Sequence, residues 1–510
     1  MNLGTYLDEK AEQFGSKPFL FYYDRTITYG EFAQQVDALA HGLIDLGFNK
    51  GDFIHVLVEN SPETLAGYFA IQKIGAVAGP INGWWKAGEV EYLLNDSKGR
   101  GLIIEPRYIP ILDEIREKCP SLEIVIETGE NPRPSHASYN GIMKDNGAKH
   151  FACTCDEKEA AYIFYTSGTT GNPKGVLLSH QNVFADIKSF QDGIDLEEGL
   201  RILVFLPLFH VNAMLTCTSS LDRGGAIVLR RKFSAGEFWE VVEKYRVNFW
   251  SAVPAVYSIL LTDPGRAKHD TSSLMFGICG AAPMPVETFK EFEQTFEIPI
   301  VEGYGLTEGT CVSTLNPRRG RKKIGSIGIA LPGQEVLIVD EEGKELPPKV
   351  PGEIVIRGDI VMMGYYNRPE ATAEAIDADG FLHTGDVAYK DADGYIFIID
   401  RIKDMVIRGG ENIYPKEIDY LLVEHPKIRD AACVGVPDPV QGEEVKAYVI
   451  LKEGESMTED EIREHCQAKL AEYKVPKYIE ILDRDFPRNA VGKTLKKEIK
   501  QWGIDGPGEK

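Results

Sequence analysis

The stretch Tyr165-Thr-Ser-Gly-Thr-Thr-Gly-Asn-Pro-Lys-Gly-Val176 lies between two short strand-like runs, Ala161 to Tyr165 and Gly175 to Leu178. Its three glycines let the backbone approach a polyphosphate closely, and its four hydroxyls and one lysine supply donors to phosphate oxygens. A flexible polar turn would need neither Lys174 nor so many hydroxyls. The stretch is not a Walker A loop, which requires Gly-x-x-x-x-Gly-Lys-[Ser/Thr] opening a helix. Here Lys174 follows Pro173 and a strand comes next. Gly492-Lys493-Thr494 fails the same test, because Pro487 stands where the first glycine should be. A polyphosphate site is therefore expected on a strand-flanked turn, not at a helix start.

Outward from this loop, strand-like runs alternate with helical apolar faces. Phe32, Val36, Leu39, Leu43 and Leu46 recur at spacings of four and three, which puts them on one face of a helix. Phe53 to Val58 reads as a strand, and Pro62 to Gly75 as a helix with Pro62 in its first turn. Further strand runs fall at Gly101 to Ile104, Ile202 to Phe205, Ala226 to Leu229 and Leu274 to Ile278. Helical patterns at Phe238 to Tyr245 and Val286 to Phe296 lie between them. Such alternation predicts an α/β fold whose large N-terminal domain holds two mostly parallel, helix-covered sheets.

Between Gly325 and Asp400 short strands are separated by strong turn signals, among them Asp340 to Gly343, Pro347-Pro348, Asp377 to Gly380 and Asp391 to Gly394. This reads as a mainly antiparallel, barrel-like β subdomain. Alternation resumes after Asp400 with Ala431 to Gly435, Lys446 to Leu451 and a helix from Thr458 to Leu470. The expected division is an N-terminal domain at 1–399 with its β-rich part near 325–399. A hinge at 400–403 and a small mobile α+β domain at 404–510 follow.

The 510 residues, 43% hydrophobic and 26% charged, have the composition of a soluble globular chain of about three domains or subdomains. A formal net charge of −22 argues against a surface built for nucleic acid, and it requires anionic substrates to be held by local cations. Of the eight cysteines only Cys153 and Cys155 are close together, and no second pair stands at zinc-site spacing. Free thiols in a reducing compartment are expected. The first ten residues lack the basic start and apolar core of a secretory signal. No run approaches the roughly 18 apolar residues of a membrane span. The expectation is a cytoplasmic chain without an integral membrane segment, and a homodimer is left open.

Eight further motifs accompany the loop: Pro207-Leu-Phe-His210, Gly280-Ala-Ala-Pro283, Tyr304-Gly-Leu-Thr-Glu308, Gly325-Ser-Ile-Gly328, Thr384-Gly-Asp386, Asp400-Arg-Ile-Lys403, Gly409-Gly-Glu-Asn412 and Pro487-Arg-Asn-Ala-Val-Gly-Lys493. In this order they resemble the acyl-adenylate-forming superfamily of acyl-CoA synthetases, luciferases and peptide-synthetase adenylation domains, over nearly the whole chain. The resemblance implies ATP-dependent activation of a carboxylic acid to acyl-AMP, then transfer to coenzyme A.

Attack of a carboxylate on the α-phosphorus of ATP brings two anions together, so catalysis should rest on positioning and on neutralisation by cations and Mg2+. The resemblance makes Lys493 the catalytic ammonium; spacing alone would equally allow a solvated lysine like Lys496 or Lys497. Thr166 and Glu308 are matched to the metal site, with a helix N-terminal carboxylate beside Thr307 as the plainer reading of Glu308. The implied ATP site comprises Thr166, Ser167, Gly168, Thr169, Thr170, Gly171 and Lys174, with Gly280, Ala281, Ala282, Glu302, Gly303, Gly305 and Thr307. Tyr304 would stack on adenine, Asp386 would accept from both ribose hydroxyls, and Arg401 would contact ribose and phosphate. Lys403 matches the hinge, and Arg408, Gly409 and Gly410 match the segment that passes the pantetheine arm. The basic run Arg318 to Lys323 reads as a solvated loop or, more sharply, as a collector of ATP or coenzyme A.

His210 on its own reads as a structural histidine; the resemblance makes it a gate near acid and phosphate. Val211, Asn212, Ala213, Met214, Trp250, Ser251, Gly280, Gly303 and Gly305 would choose the acid, the glycines and Ala213 leaving room. Phe209-His-Val-Asn-Ala213 is similar to bacterial long-chain fatty acyl-CoA synthetases, so a medium- to long-chain fatty acid is expected, with an aromatic or alicyclic acid as the alternative. Transfer to a separate carrier protein is an alternative to coenzyme A. An inactive nucleotide-binding scaffold would have no physical need to keep Lys174, Glu308, Asp386, Arg401 and Lys493 together.

Overall fold

A computed structural model of the protein describes residues 1–143, 155–166, 173–409, 411–488 and 494–505. It divides into two compact units, one of residues 1–336 and 356–383, the other of residues 337–355 and 384–510.

Local signals set the elements of the first unit. Thr28 caps the helix Tyr29–Asp45 in a reciprocal box with Glu31, and Phe32, Val36, Leu39 and Leu43 are buried along one face. Ser61 caps the helix Pro62–Lys73, with Pro62 in the first turn where its missing N–H costs nothing. Strands such as Gly101–Ile104, Ala226–Leu229 and Phe276–Cys279 are buried at every residue, as parallel strands covered on both faces must be.

Among the described residues two large sheets form. The nine-stranded sheet runs Ile329–Ala330, Thr314–Leu315, Ile300–Tyr304, Phe276–Cys279, Phe249–Ala252, Arg201–Val204, Ala226–Leu229, Pro18–Tyr22, Arg25–Thr28. The eight-stranded sheet runs Gly364–Tyr365, Lys174–Ser179, Ala160–Thr166, Val77–Pro80, Phe53–Leu57, Gly101–Ile104, Ile124–Glu127, Ala137–Ser138. Both are parallel in their centres; the nine-stranded sheet has antiparallel strands at both edges and the eight-stranded one at the Gly364–Tyr365 edge, its Ala137–Ser138 edge being parallel. The Tyr29–Asp45 helix packs on the first sheet and the Pro62–Lys73 helix on the second, and the two helices pack on each other. The Lys73 ammonium, fully buried, lies between Asp8 at 2.6 Å and Asp37, and so ties the N-terminal helix Leu3–Phe14 to this layer.

The β-rich stretch after Gly325 is shared among three sheets. Ile329–Ala330 extends the nine-stranded sheet and Gly364–Tyr365 the eight-stranded one. The remaining strands, Gln334–Val339, Gly352–Gly358, Leu382–Lys390 and Ile396–Arg401, form a four-stranded sheet in that order. Two-residue strands pair with whichever open edge the turns bring them to: Ile329–Ala330 with the strand just before it in sequence, and Gly364–Tyr365 with one about 190 residues earlier. In the second unit a further sheet carries Glu411–Ile413, Val406–Arg408, Gly442–Leu451 and Ile428–Asp438, with Tyr478–Leu482 parallel to Gly442–Leu451. Ile418, Leu422, Ile462 and Cys466 pack on one face of it, and Phe486 and Ile499 on the other.

Among the described residues Cys119, Cys217, Cys279, Cys311, Cys433 and Cys466 are free thiols. Among those residues no helix is long and apolar enough to cross a membrane.

Among the histidines that burial depresses from 6.5 are His55, to about 4, His180, to about 3, and His210, to about 4. As pH falls below 6.5 the unfolded chain takes up these protons first, and the native chain does not follow until pH 4 or lower. Stability from this source is complete above pH 6.5 and is lost down to pH 4, by about 1.4 kcal/mol per pH unit for each proton of difference. His55→Gln should make the fall of the urea midpoint across this window shallower. An unchanged slope would remove His55 from the account.

Candidate active site

The phosphate-loop stretch is a hairpin. Strands Ala160–Thr166 and Lys174–Ser179 are antiparallel, with Thr166 directly opposite Lys174. Ser167, Gly168, Thr169, Thr170 and Gly171, expected at its tip, lie outside the described residues. Thr166 Oγ1 donates to Glu308 Oε1 at 3.3 Å, and Tyr365 Oη donates to the same oxygen at 3.0 Å. The Lys174 ammonium stands 4.7 Å from the centroid of the Tyr365 ring. Burial, then the Glu308 charge, push the Tyr365 phenol up, so it stays a donor at neutral pH.

Glu308 occupies a short 3-10 turn, Thr307–Gly309, that follows the strand Ile300–Tyr304. The turn is held from the side: Met362 N donates to Glu308 O at 2.8 Å, and Thr310 Oγ1 donates to Ile360 O at 2.6 Å. Thr310 itself has φ of +64°, a strained backbone for a β-branched residue. Tyr365 was absent from the residues expected in the site. It comes from a two-residue strand beside Lys174–Ser179, and a short strand carries no periodic signal. The hairpin base has a second anchor, because Asp96 accepts from Tyr165 Oη at 2.9 Å and from Arg368 at 2.5 Å.

Gly280, Ala281 and Ala282 follow the C-terminal end of the Phe276–Cys279 strand, and Ala281 has φ of +65°. Glu302, buried on the neighbouring strand, accepts from Met284 N at 3.0 Å and so fastens this loop. Tyr304, half-buried, ends that strand. Gly303 and Gly305 have reasons inside the fold to be glycine. A Cβ at Gly303 would collide with Leu315, and one at Gly305 with the Cys311 carbonyl oxygen. At Gly280 a Cβ would meet only the Gly303 carbonyl oxygen at 3.6 Å, an ordinary contact.

His210 is the N-cap residue of the helix Val211–Asp222 and makes no side-chain cap bond. Its ring lies 4.7 Å from that of Phe209, which meets Trp84 edge-on at 5.3 Å. Nε2 is closed from solvent without a hydrogen-bond partner among the described residues. With its pKa lowered to about 4 by burial, the imidazole is neutral at pH 7 and can present either a proton or a lone pair. Ala213 and Met214 are buried on the same helix, while Val211 and Asn212 are partly exposed. Trp250 packs among Phe238, Tyr257 and Phe292, an aromatic core cluster. Ser251, next on that strand, is buried with its hydroxyl unpartnered among the described residues.

The second unit holds a separate set. Asp386 and Arg401 face each other across antiparallel strands, and Arg401 Nε is 3.0 Å from Asp386 Oδ1. Gly385, φ +70°, breaks the extended backbone of its strand just before Asp386, and its N–H donates to Glu353 at 2.8 Å. Asp400 accepts from Arg401 N at 2.8 Å and Lys416 N at 2.7 Å. Lys403 is exposed in a 3-10 turn, Ile402–Asp404, inside this unit. Arg408 Nε donates to the buried Glu444 at 2.8 Å, and Gly409 has φ of +59°, a backbone that favours glycine. Gly410 and Lys493 lie outside the described residues.

The basic run is committed elsewhere. Arg318 and Arg319 both pair with Glu197, and Lys322 pairs with Glu293. Three of its five cations are therefore held by carboxylates, which favours the structural reading of that loop over nucleotide collection.

Known proteins resemble the chain over most of its length. The family described as AMP-binding enzyme matches residues 7–366, and that described as AMP-binding enzyme C-terminal domain matches residues 417–493. The chain is 33% identical to a long-chain-fatty-acid–CoA ligase of Bacillus subtilis, covering 98% of this chain and 94% of that one. It is also 33% identical to a sulfoacetate–CoA ligase of Cupriavidus necator, covering 98% and 97%. Among solved structures, o-succinylbenzoate CoA synthetase from Bacillus subtilis in complex with its acyl-adenylate intermediate superposes with a TM-score of 0.86. That match has 28% identity over 98% of each chain.

Proposed function

The chain belongs to the AMP-binding enzyme family of acyl-adenylate-forming acyl-CoA synthetases, and on that premise we propose that it activates a medium- or long-chain fatty acid as acyl-AMP and transfers the acyl group to coenzyme A. The observation that carries the adenylation reading is the convergence of Thr166, Lys174, Glu308 and Tyr365 at the base of the phosphate hairpin.

A carboxylate oxygen attacks the α-phosphorus, the bond to pyrophosphate breaks, and acyl-AMP forms. Lys174 and the hairpin tip hold the β- and γ-phosphates, where donors from a glycine-rich turn neutralise the departing pyrophosphate. Thr166 and Glu308 offer a hydroxyl and a carboxylate oxygen, a donor set that suits Mg2+ when phosphates and water complete its shell. Bound there, the ion supplies charge neutralisation at the phosphate oxygens. Tyr365 fixes the Glu308 carboxylate, Tyr304 stacks on adenine, Asp386 holds the ribose, and Arg401 contacts ribose and phosphate. Lys493 bridges carboxylate and phosphate oxygens. In the second half-reaction the coenzyme A sulfur attacks the acyl carbon and AMP leaves, with Arg408, Gly409 and Gly410 along the pantetheine arm.

Fatty-acid selection is supported by the buried apolar Ala213 and Met214 next to His210, and by the Bacillus subtilis relative. The o-succinylbenzoate enzyme favours an aromatic acid as the second reading. Fatty, aromatic and small polar acids offered with Mg2+-ATP, with and without coenzyme A, separate these readings through pyrophosphate release and thioester formation. No pyrophosphate with any acid would defeat the adenylation reading, and adenylate without thioester would point to a carrier protein.

Residues 400–403 serve as the hinge between an N-terminal domain at 1–399 and a C-terminal domain at 404–510, with the backbone at Lys403 rotating between half-reactions. Lys403→Pro, which fixes φ near −65°, should retain pyrophosphate release and lower thioester formation by roughly tenfold or more. An unchanged overall rate would argue against the hinge.

A further inference from the structure

Asn60 follows the strand Phe53–Leu57 of the eight-stranded sheet and is 4% exposed. Its carboxamide bonds three backbone groups that belong to loops of the other large sheet. Nδ2 donates to Leu206 O at 2.8 Å and to Arg230 O at 3.2 Å, while Oδ1 accepts from Leu208 N at 2.8 Å. Leu206 and Leu208 lie in the connection from the strand Arg201–Val204 to the helix Val211–Asp222, which delivers Phe209 and His210. Arg230 directly follows the strand Ala226–Leu229.

The rest of that connection is held more weakly. His210 N donates to Pro207 O at 3.0 Å, and the Tyr68 hydroxyl reaches Leu208 O only at 3.4 Å. Phe209 packs outward on Trp84, which is 55% exposed. Both donor protons and the carbonyl oxygen of Asn60 are in use, a pattern that only an amide supplies. A carboxylate would set an anion against two carbonyl oxygens, and alanine would leave three backbone groups without their partner.

We propose that Asn60 is a positioning residue for His210: it clamps the Leu206–Leu208 backbone so that the imidazole meets the acid and phosphate groups in a reactive arrangement. The inference rests on the adenylation reading above. It gives Asn60 no contact with substrate and routes its effect through the Leu206–Leu208 backbone to His210.

The test is a double-mutant cycle in the pyrophosphate-releasing half-reaction, using the full chain, the most active acid of the panel and Mg2+-ATP. Asn60→Ala should lower kcat by roughly 10- to 100-fold, the scale of a misplacement of about 1 Å, with KM for ATP within about twofold of the parent. In a His210→Ala background the same change should cost less than about twofold, because the group it positions is gone. Asn60→Asp should be at least as damaging as Asn60→Ala. If Asn60→Ala does not fold, Asn60→Ser, which keeps a donor for one carbonyl, takes its place in the cycle. Equal losses in both backgrounds would overturn the proposal, as would a parent-like kcat for Asn60→Ala in an active protein. A parent that releases no pyrophosphate with any acid would instead defeat the adenylation reading, and the proposal with it.

Discussion

Lys493→Ala should reduce acyl-adenylate formation by about 10²–10³-fold or more, while thioester formation from supplied acyl-adenylate stays within a few-fold of the parent. The first half-reaction must bring a carboxylate to a triphosphate in a protein whose formal charge is already −22. A flexible ammonium between the two anions answers that need, since it interacts most strongly when the new P–O bond forms. In the second half-reaction the adenylate already exists, and AMP leaves from a neutral acyl carbon, so the same ammonium has less charge to offset. Neighbouring lysines offer poor substitutes. Lys496 is ion-paired with Asp419 at 2.6 Å, and moving it would strand that carboxylate in the core of the second unit. Pyrophosphate release and thioester formation, assayed separately on the same variant, decide the matter. Equal loss in both would remove Lys493 from its assigned role.

How far the site could be read from the sequence depended on the range of each contact. The hairpin was legible because its glycines, hydroxyls and lysine are contiguous, and the pairing of Thr166 with Lys174 follows from two flanking strands. The helices were legible from period and caps, as at Thr28 and Ser61. Tyr365 was not, since it lies 57 residues from the carboxylate it binds and in a strand too short to show alternation. Asn60 was hidden for a similar reason: it reads as a loop asparagine, and its partners are backbone groups at separations of 146 to 170 residues. Gly303 and Gly305 carry a second constraint that was not legible: beside any space they leave for a substrate, a Cβ at Gly303 would meet Leu315 and one at Gly305 the Cys311 carbonyl oxygen. The cations of the Arg318–Lys323 run could not be assigned from composition, because whether a cation is available depends on which carboxylates fold beside it.

Glu308→Gln isolates charge from shape at the base of the hairpin. The substitution keeps an Oε1 acceptor for the hydroxyls of Thr166 and Tyr365, at 3.3 Å and 3.0 Å in the parent, so the Thr307–Gly309 turn should hold and the thermal midpoint should barely move. What disappears is the anionic oxygen that, on the proposed role, would fix Mg2+ beside the phosphates. Loss of one such electrostatic contact typically costs about 10²–10³ in rate, so pyrophosphate release should fall by that order. Tyr365→Phe keeps the carboxylate and the ring beneath Lys174, and removes one hydrogen bond that orients Glu308. A net hydrogen-bond contribution of about 1 kcal/mol predicts a loss of about five- to tenfold, well below that of Glu308→Gln. Titration with Mg2+ separates the two further. Glu308→Gln should need more metal for half-maximal rate, whereas Tyr365→Phe should shift that requirement little. If Glu308→Gln retains activity within about threefold at every Mg2+ concentration, the carboxylate is only a structural acceptor for its two hydroxyl partners, and the metal must be held elsewhere.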